Sequence, residues 1–274
     1  MKASLVVAQK EFMDGLRNRW LIAITLIFAV FASALSWFGS AAVGSIGFGS
    51  VANTIISLSS LNIFLLPLIA LLLSYNAIVG EDEDGTLLLL LTYPLTKFEF
   101  LIGKLLGHAA ILTIATIVGF GSASVTIAIF AENVDVAELV RAFTLFIFSS
   151  VLLGLIFISL AYWISSWVSE KSKAAGLALI MWFFFVLIFD MVLLGMLITT
   201  EGQLKAELFP YLLLMNPTDI FRLVNLVSFE AKGAGLLSIA SDNLFSVYEL
   251  IAVMLVWIII LFSLAYHRLL KRPI

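Results

Sequence analysis

The sequence predicts an all-α polytopic membrane protein with six transmembrane helices and an N-terminal amphipathic helix. Three observations predict it. First, 62% of its 274 residues are hydrophobic and only 12% charged, with a mean hydropathy of +1.15. Soluble domains run nearer ~45–50% apolar and ~25% charged. Second, six stretches are apolar over the ~20 residues that the hydrocarbon core requires, at about 20–38, 55–79, 105–130, 140–168, 174–198 and 247–266. Third, Lys and Arg gather in alternate loops, as positive-inside topology demands. No period-two alternation suggests a barrel, so helices must pair the backbone groups inside the bilayer.

The first nineteen residues carry Lys2, Lys10, Glu11, Asp14, Arg17 and Arg19, which breaks any signal-peptide apolar core. Leu5, Ala8, Phe12, Leu16 and Trp20 recur every three or four residues, the stripe of an amphipathic helix in the membrane interface. Basic residues follow the second span (Lys97, Lys104), the fourth (Lys171, Lys173) and the sixth (Arg268, Lys271, Arg272), while the opposite short loops hold only Arg141. Both termini are therefore expected in the cytoplasm and the long loop 199–246 outside. Loops of that length are usually functional. Gly202, Pro210, Pro217, Gly233 and Gly235 divide it, and Thr218 or Asp219 is a candidate cap for a helix over 219–227 on the outer membrane surface.

Chemistry-bearing motifs are scarce. There is no glycine-rich nucleotide loop, no nucleophile–histidine–acid set and no cysteine. No catalytic residue, no metal site and no nucleic-acid partner is expected. Met181, Met191, Met196, Met215 and Met254 offer thioethers to a soft metal, but flexible apolar packing is the stronger reading. Asp190 stands alone deep in the fifth span. An acid there costs ~2.5–3.5 kcal/mol to insert, so it is a candidate path or gating residue or a bonded structural acid. Pro67 is a candidate kink in the second span. Asn53, Ser57, Ser59, Ser60 and Asn62 beside it suit helix–helix bonding or a polar dimer interface.

The richest signal follows the second span. Glu81-Asp82-Glu83-Asp84 must emerge from the bilayer. Gly85-Thr86-Leu87 then starts a short leucine-rich helix that Pro94 stops. An exposed apolar helix marks an interaction site or lies on lipid.

Gly80–Leu87, Leu90–Leu95 and Gly103-Lys104, with Lys10-Glu11-Phe12 and Leu16–Trp20, resemble type-2 ATP-binding-cassette (ABC) export permeases. The resemblance implies that permease fold, with 1–19 as an elbow helix, 80–104 as the loop carrying a coupling helix, 169–173 as a second coupling position and 199–246 as the periplasmic loop of one transmembrane domain, 1–274. It implies that Glu81, Asp82, Glu83, Gly85, Thr86, Leu87 and Pro94, with Glu170 and Lys171, shape a docking element for a separate cytoplasmic ATPase, which would hold the ATP and Mg; this chain binds no cofactor. Asp14–Leu21, Ala77–Glu83, Leu91–Leu95, Glu170–Ser172, Ala174–Leu179, Phe189-Asp190 and Asn216–Ile220 resemble, more narrowly, the permeases that mature nitrous oxide reductase in denitrifying bacteria. That implies an inner-membrane homodimer and a periplasmic β-helical copper-handling partner near Tyr211, Asn216, Pro217, Thr218, Asp219 and Arg222, serving assembly of a copper–sulfide site. Scarce soft ligands favour export of a sulfur species, or mechanical transmission alone, over copper passage. A general exporter of drugs, lipids or ions is the first alternative and a non-transporting scaffold the second. A secondary transporter would show internal repeats and more polar groups at mid-membrane.

Overall fold

In the computed structural model the described residues are 2–17, 19–38, 50–92, 94–131, 134–199, 209–229 and 245–272. Every regular element among them is a helix. The helices are α1 (Lys2–Arg17), α2 (Trp20–Phe38), α3 (Val51–Ser74), α4 (Val79–Glu83), α5 (Thr86–Thr92), α6 (Lys97–Phe130), α7 (Val136–Trp167) and α8 (Lys171–Phe183). A single π-turn (Phe184–Ile188) joins α8 to α9 (Phe189–Thr199), followed by α10 (Phe209–Leu213), α11 (Pro217–Ser228) and α12 (Val247–Lys271). Five helical stretches are long and apolar enough to cross a membrane alone, and α1 with α2, bent by 65°, make a sixth candidate. The bend falls beside Arg19, whose φ of 57° is left-handed. The six expected spans are thus all present as helices.

α7 is the hub. Its apolar window is 67% buried within the chain, against 17% for the α8–α9 stretch and for α12. It packs on α3, α6, α11 and α12 around Phe146, Ile156, Phe157 and Tyr162. The outer faces of α8–α9 and α12 remain for lipid or a second copy. Polar bonds stitch the seams: Asn62 donates to Ser150 Oγ at 2.8 Å, Asn225 to Ser149 Oγ at 3.2 Å, and Trp182 Nε1 to the Phe64 carbonyl at 2.9 Å. Pro67 sits inside α3 without ending it.

One detail is added and two expectations change. Of the Leu5 stripe on α1, Phe12 packs against the core and Leu5 faces outward. Leu5 is 58% exposed, and α1 turns Ser4, Val7 and Gly15 against α6. The reason is Gly103 and Gly107, one turn apart on α6: a Cβ on Gly103 would meet the Ser4 carbonyl at 2.6 Å and one on Gly107 the Glu11 Cβ at 2.5 Å. Two small residues at that spacing let backbones approach closely. First, α11 does not lie on the surface. Ile220, Phe221 and Val224 are fully buried against α3, α7 and α12. Second, its cap is Asn216, whose side chain accepts from the Thr218 N–H, with Pro217 in the first turn, rather than Thr218 or Asp219. Proline needs no hydrogen-bond partner there, so the helix starts earlier. Loop residues 200–208 and 230–244, with Gly202, Gly233 and Gly235, lie outside the described residues.

Candidate functional site

At the α1 end of the bundle, α3 gives way to two short helices set side by side. α4 carries Glu81, Asp82 and Glu83, and Gly85 at φ 71° turns the chain into α5. Glycine adopts that left-handed conformation without steric cost. Leu87 is buried and Leu88 is 56% exposed, so α5 holds on by one face and presents another. Pro94 is exposed beyond it. Thr96 and Glu99 then form a capping box that starts α6. Ile78 and Val79 donate their N–H groups to Ser165 Oγ of α7 at 3.1 and 2.9 Å, which moors α4.

All four acids are bonded within the chain. Glu81 accepts from Lys104 of α6 and from Lys10 of α1, both at 3.0 Å, and from the Thr86 hydroxyl. Lys104 also reaches Glu11 of α1 at 2.6 Å, and its own side chain is 4% exposed. Glu11 Oε2 lies 3.6 Å from His108 Nε2, and His108 Nδ1 is 2.6 Å from the Tyr162 hydroxyl. One connected network therefore runs from α4 through α1 and α6 into α7. Lys171 binds two more: its N–H donates to Glu83 at 2.9 Å and its ammonium pairs with Asp84 at 2.7 Å. Asp82 pairs with Arg272 at 2.6 Å. Glu170 pairs only locally, with Lys173 at 2.6 Å. A cavity of about 460 Å³ opens between these elements, lined by Lys10, Glu11, Asn76, Glu81, Lys104 and Lys171 among others. Its lining sets Lys10, Lys104 and Lys171 against Glu11, Asp14, Glu81 and Asp84, mostly paired with one another, which suits a joint between helices better than a site for chemistry.

The acids thus serve as internal ties, and Gly85, Leu88 and Pro94 supply the outward surface. Sequence reading singled out Glu81, Asp82, Glu83, Gly85, Thr86, Leu87, Pro94, Glu170 and Lys171 as a docking element, and they lie on or beside α4, α5 and the start of α8. It gave no bonded role to Lys10, Glu11, Lys104, His108, Tyr162, Ser165 or Arg272. One signal was available: Lys104 and His108 stand four residues apart, on one face of an otherwise apolar helix.

A second polar cluster lies at the opposite, α11 end. Arg222 reaches Asp190 at 3.2 Å and Asp219 at 3.1 Å. Asn216 donates to Asp219 and to the Phe185 carbonyl, both at 2.9 Å, and Thr218 donates to the same carbonyl at 3.3 Å. Phe185 belongs to the π-turn, where the i→i+5 pattern frees carbonyls from their usual partners. α11 therefore holds the fifth span within that turn, at Phe185, and just beyond it, at Asp190. Burial and the neighbouring Asp190 carboxylate push the Asp219 carboxyl up to about 7, against the pull of Arg222. Asp190 is thus a bonded acid. Asn216, Pro217, Thr218 and Asp219 are buried, so in this conformation they face the bundle rather than a partner. Arg222 is half-buried, and Tyr211, 57% exposed, is the residue of that set that points outward.

Among the described residues no group of three or more His, Asp or Glu side chains could hold a metal ion. The described residues thus form a membrane helix bundle with a bent N-terminal pair and a short apolar helix held at one end. Residues 5–273 match the model of the ABC-2 family transporter proteins, and the chain belongs to that family. It is similar to the "Probable ABC transporter permease protein NosY" of Pseudomonas aeruginosa, 52% identical across 98% of both chains. It is also similar to the protein of that name from Stutzerimonas stutzeri, 53% identical across 97% of both. It is therefore the permease subunit of an ABC transporter, which implies an ATPase partner and a second permease copy.

Proposed function

We propose that this chain couples ATP hydrolysis in a cytoplasmic ATPase to a periplasmic copper-handling protein, in service of the copper–sulfide site of nitrous oxide reductase. The carrying observation is the mounting of α5. It shows Leu88 outward while Thr86, through Glu81, joins it to α1 and α6 at its base. A push on α5 reaches the elbow, the third span and, through His108 and Tyr162, the hub α7. In this reading α5 and the turn after α7 are the ATPase contacts. Both termini are cytoplasmic, and the outer face near Tyr211 meets the periplasmic partner. The name that the two relatives share, NosY, links the reading to nitrous oxide reductase. No catalysis is assigned to this chain.

Soft ligands are sparse along the spans: the chain has no cysteine, and His108 is bonded to Tyr162. The exported species is accordingly sulfur-based, or the machine transmits motion only. Co-purification of a tagged chain from native membranes, with mass spectrometry of what stays bound, tests the reading. An ATPase together with a periplasmic copper-handling protein is the expected result. An ATPase alone returns the chain to the general exporters. Loss of ATPase on replacing Leu88 with Asp tests the α5 contact, and retention at wild-type level removes it. Uptake of labelled copper by vesicles carrying the intact complex would overturn the sulfur-or-motion reading.

A further inference from the structure

The end of α12 makes a set of bonds that neither the family match nor the coupling reading accounts for. Arg272 NH2 donates to Asp82 at 2.6 Å and to the Val168 carbonyl at 2.8 Å, while NH1 donates to the Ser165 carbonyl at 3.1 Å. Asp82 belongs to α4, at the head of the first loop. Ser165 and Val168 flank the end of α7, where the second loop begins. One planar guanidinium thus spans both loops, a geometry that Lys, a point donor on a flexible stem, cannot reproduce.

The same turn is gripped from the far end of the first loop. Lys97, at the start of α6, donates to the carbonyls of Leu269, Leu270 and Arg272 at 3.0, 3.3 and 3.4 Å. A cation is favourable at a helix C-terminus, where the last carbonyls are short of intrahelical partners; that of Leu269 also accepts from the Arg272 N–H at 3.3 Å. One turn earlier, the Arg268 guanidinium sits 4.2 Å from the ring centre of Trp167, the last residue of α7. The C-terminal turn therefore touches the head of loop one, its tail, and the head of loop two. The Arg272 side chain is only 11% exposed, so the guanidinium is held inside the fold, while Asp82 stays partly open to water.

We propose that the turn Leu269–Arg272 is a clasp, with Arg272 its positioning residue, that makes the two ATPase-facing loops move as one body. This rests on the reading of those loops as the ATPase contacts. The clasp gives the sixth span, otherwise little buried, a direct hold on the other spans' ends.

The chain has no cysteine, so spin labels can be placed cleanly at Thr92→Cys and Lys173→Cys, both exposed positions, in the full complex. With Arg272 intact, the label-to-label distance should be narrowly distributed and should keep its width when nucleotide is added. Arg272→Gln should broaden it, as the clasped population falls by roughly tenfold or more, the worth of charge-assisted bonds. Arg272→Lys should fail to restore it, and Asp82→Asn should broaden it from the other side. An unchanged narrow distribution in both Arg272→Gln and Asp82→Asn overturns the clasp. The measurement reports on the permease itself, so it stands even if the ATPase fails to shield Leu88, the outcome that would instead sink the docking reading.

Discussion

The two polar clusters, one at each end of the bundle, differ in charge balance. At the α1 end, Lys10 and Lys104 meet Glu11 and Glu81, two cations for two acids drawn from three elements. At the α11 end, Arg222 alone meets Asp190 and Asp219. The balanced cluster has no charge left to satisfy and works as a fixed joint. The acid-rich cluster keeps a proton or a strained pairing in reserve, and it grips a π-turn, the least regular stretch of any span. In the proposed reading, a tied α1 end and a releasable α11 end are what transmission from an ATPase to an external partner would require.

The comparison breaks first at Lys104. Replacing it with Ala leaves Glu11 and Glu81, both 12% exposed, without their shared cation. Removing one partner from such a buried pair costs about 3–5 kcal/mol. Thermal unfolding of the purified chain should show that loss, whereas Lys173→Ala, which breaks an exposed pair with Glu170, should cost about 0–1 kcal/mol. Equal shifts for the two variants would mean that the first cluster is not a joint.

Gly107→Ala attacks the same joint by volume. The new methyl would meet the Glu11 Cβ at 2.5 Å and the Ala8 carbonyl at 2.9 Å, so α1 must lift from α6. Overpacking of this kind costs about 1–3 kcal/mol. Faster amide exchange confined to α1 and α4 is the expected signature, and unchanged exchange there would show that α1 is not carried on the glycine pair.

Much of this architecture was legible because it is written locally. Six apolar lengths, the acidic exit, the Gly85 turn and the Pro94 stop each follow from neighbours in sequence. The ties were not legible, because they join distant positions: Lys10 to Glu81 is 71 residues and Asp82 to Arg272 is 190. No pattern in one strand of text pairs a particular Lys with a particular Glu at that range. The depth of α11 was hidden for another reason. An amphipathic period reads the same whether the apolar face meets lipid or protein. The π-turn leaves no trace in a uniformly apolar span. Asn216–Asp219 stood out in the sequence, but as a surface motif, because nothing local announces that the Phe185 carbonyl awaits it.

At the output end, Asn216→Ala removes the α11 cap and the bonds to Phe185 and Asp219. The cost should be about 1–2 kcal/mol, from a lost cap and an orphaned acid. It should appear as raised amide exchange at residues 184–190 with α1 and α4 unaffected. Exchange spreading to α1 and α4 would show that the two ends are one cooperative unit rather than a fixed joint and a separate latch.

The finest test uses pH. With its carboxyl raised to about 7 from an ordinary 3.8, Asp219 keeps its proton in the native state where the unfolded chain has released it. The native state then binds more protons across that window, so its contribution to stability is full below about pH 4 and is lost as pH rises toward 7. Asp219→Asn carries no proton to lose and should flatten that part of the profile. Glu81, bonded by two cations, offers no comparable slope of that sign. A thermal midpoint that falls equally between pH 4 and 7 in wild type and Asp219→Asn would remove the reserved proton, and with it the charge asymmetry that separates the two ends.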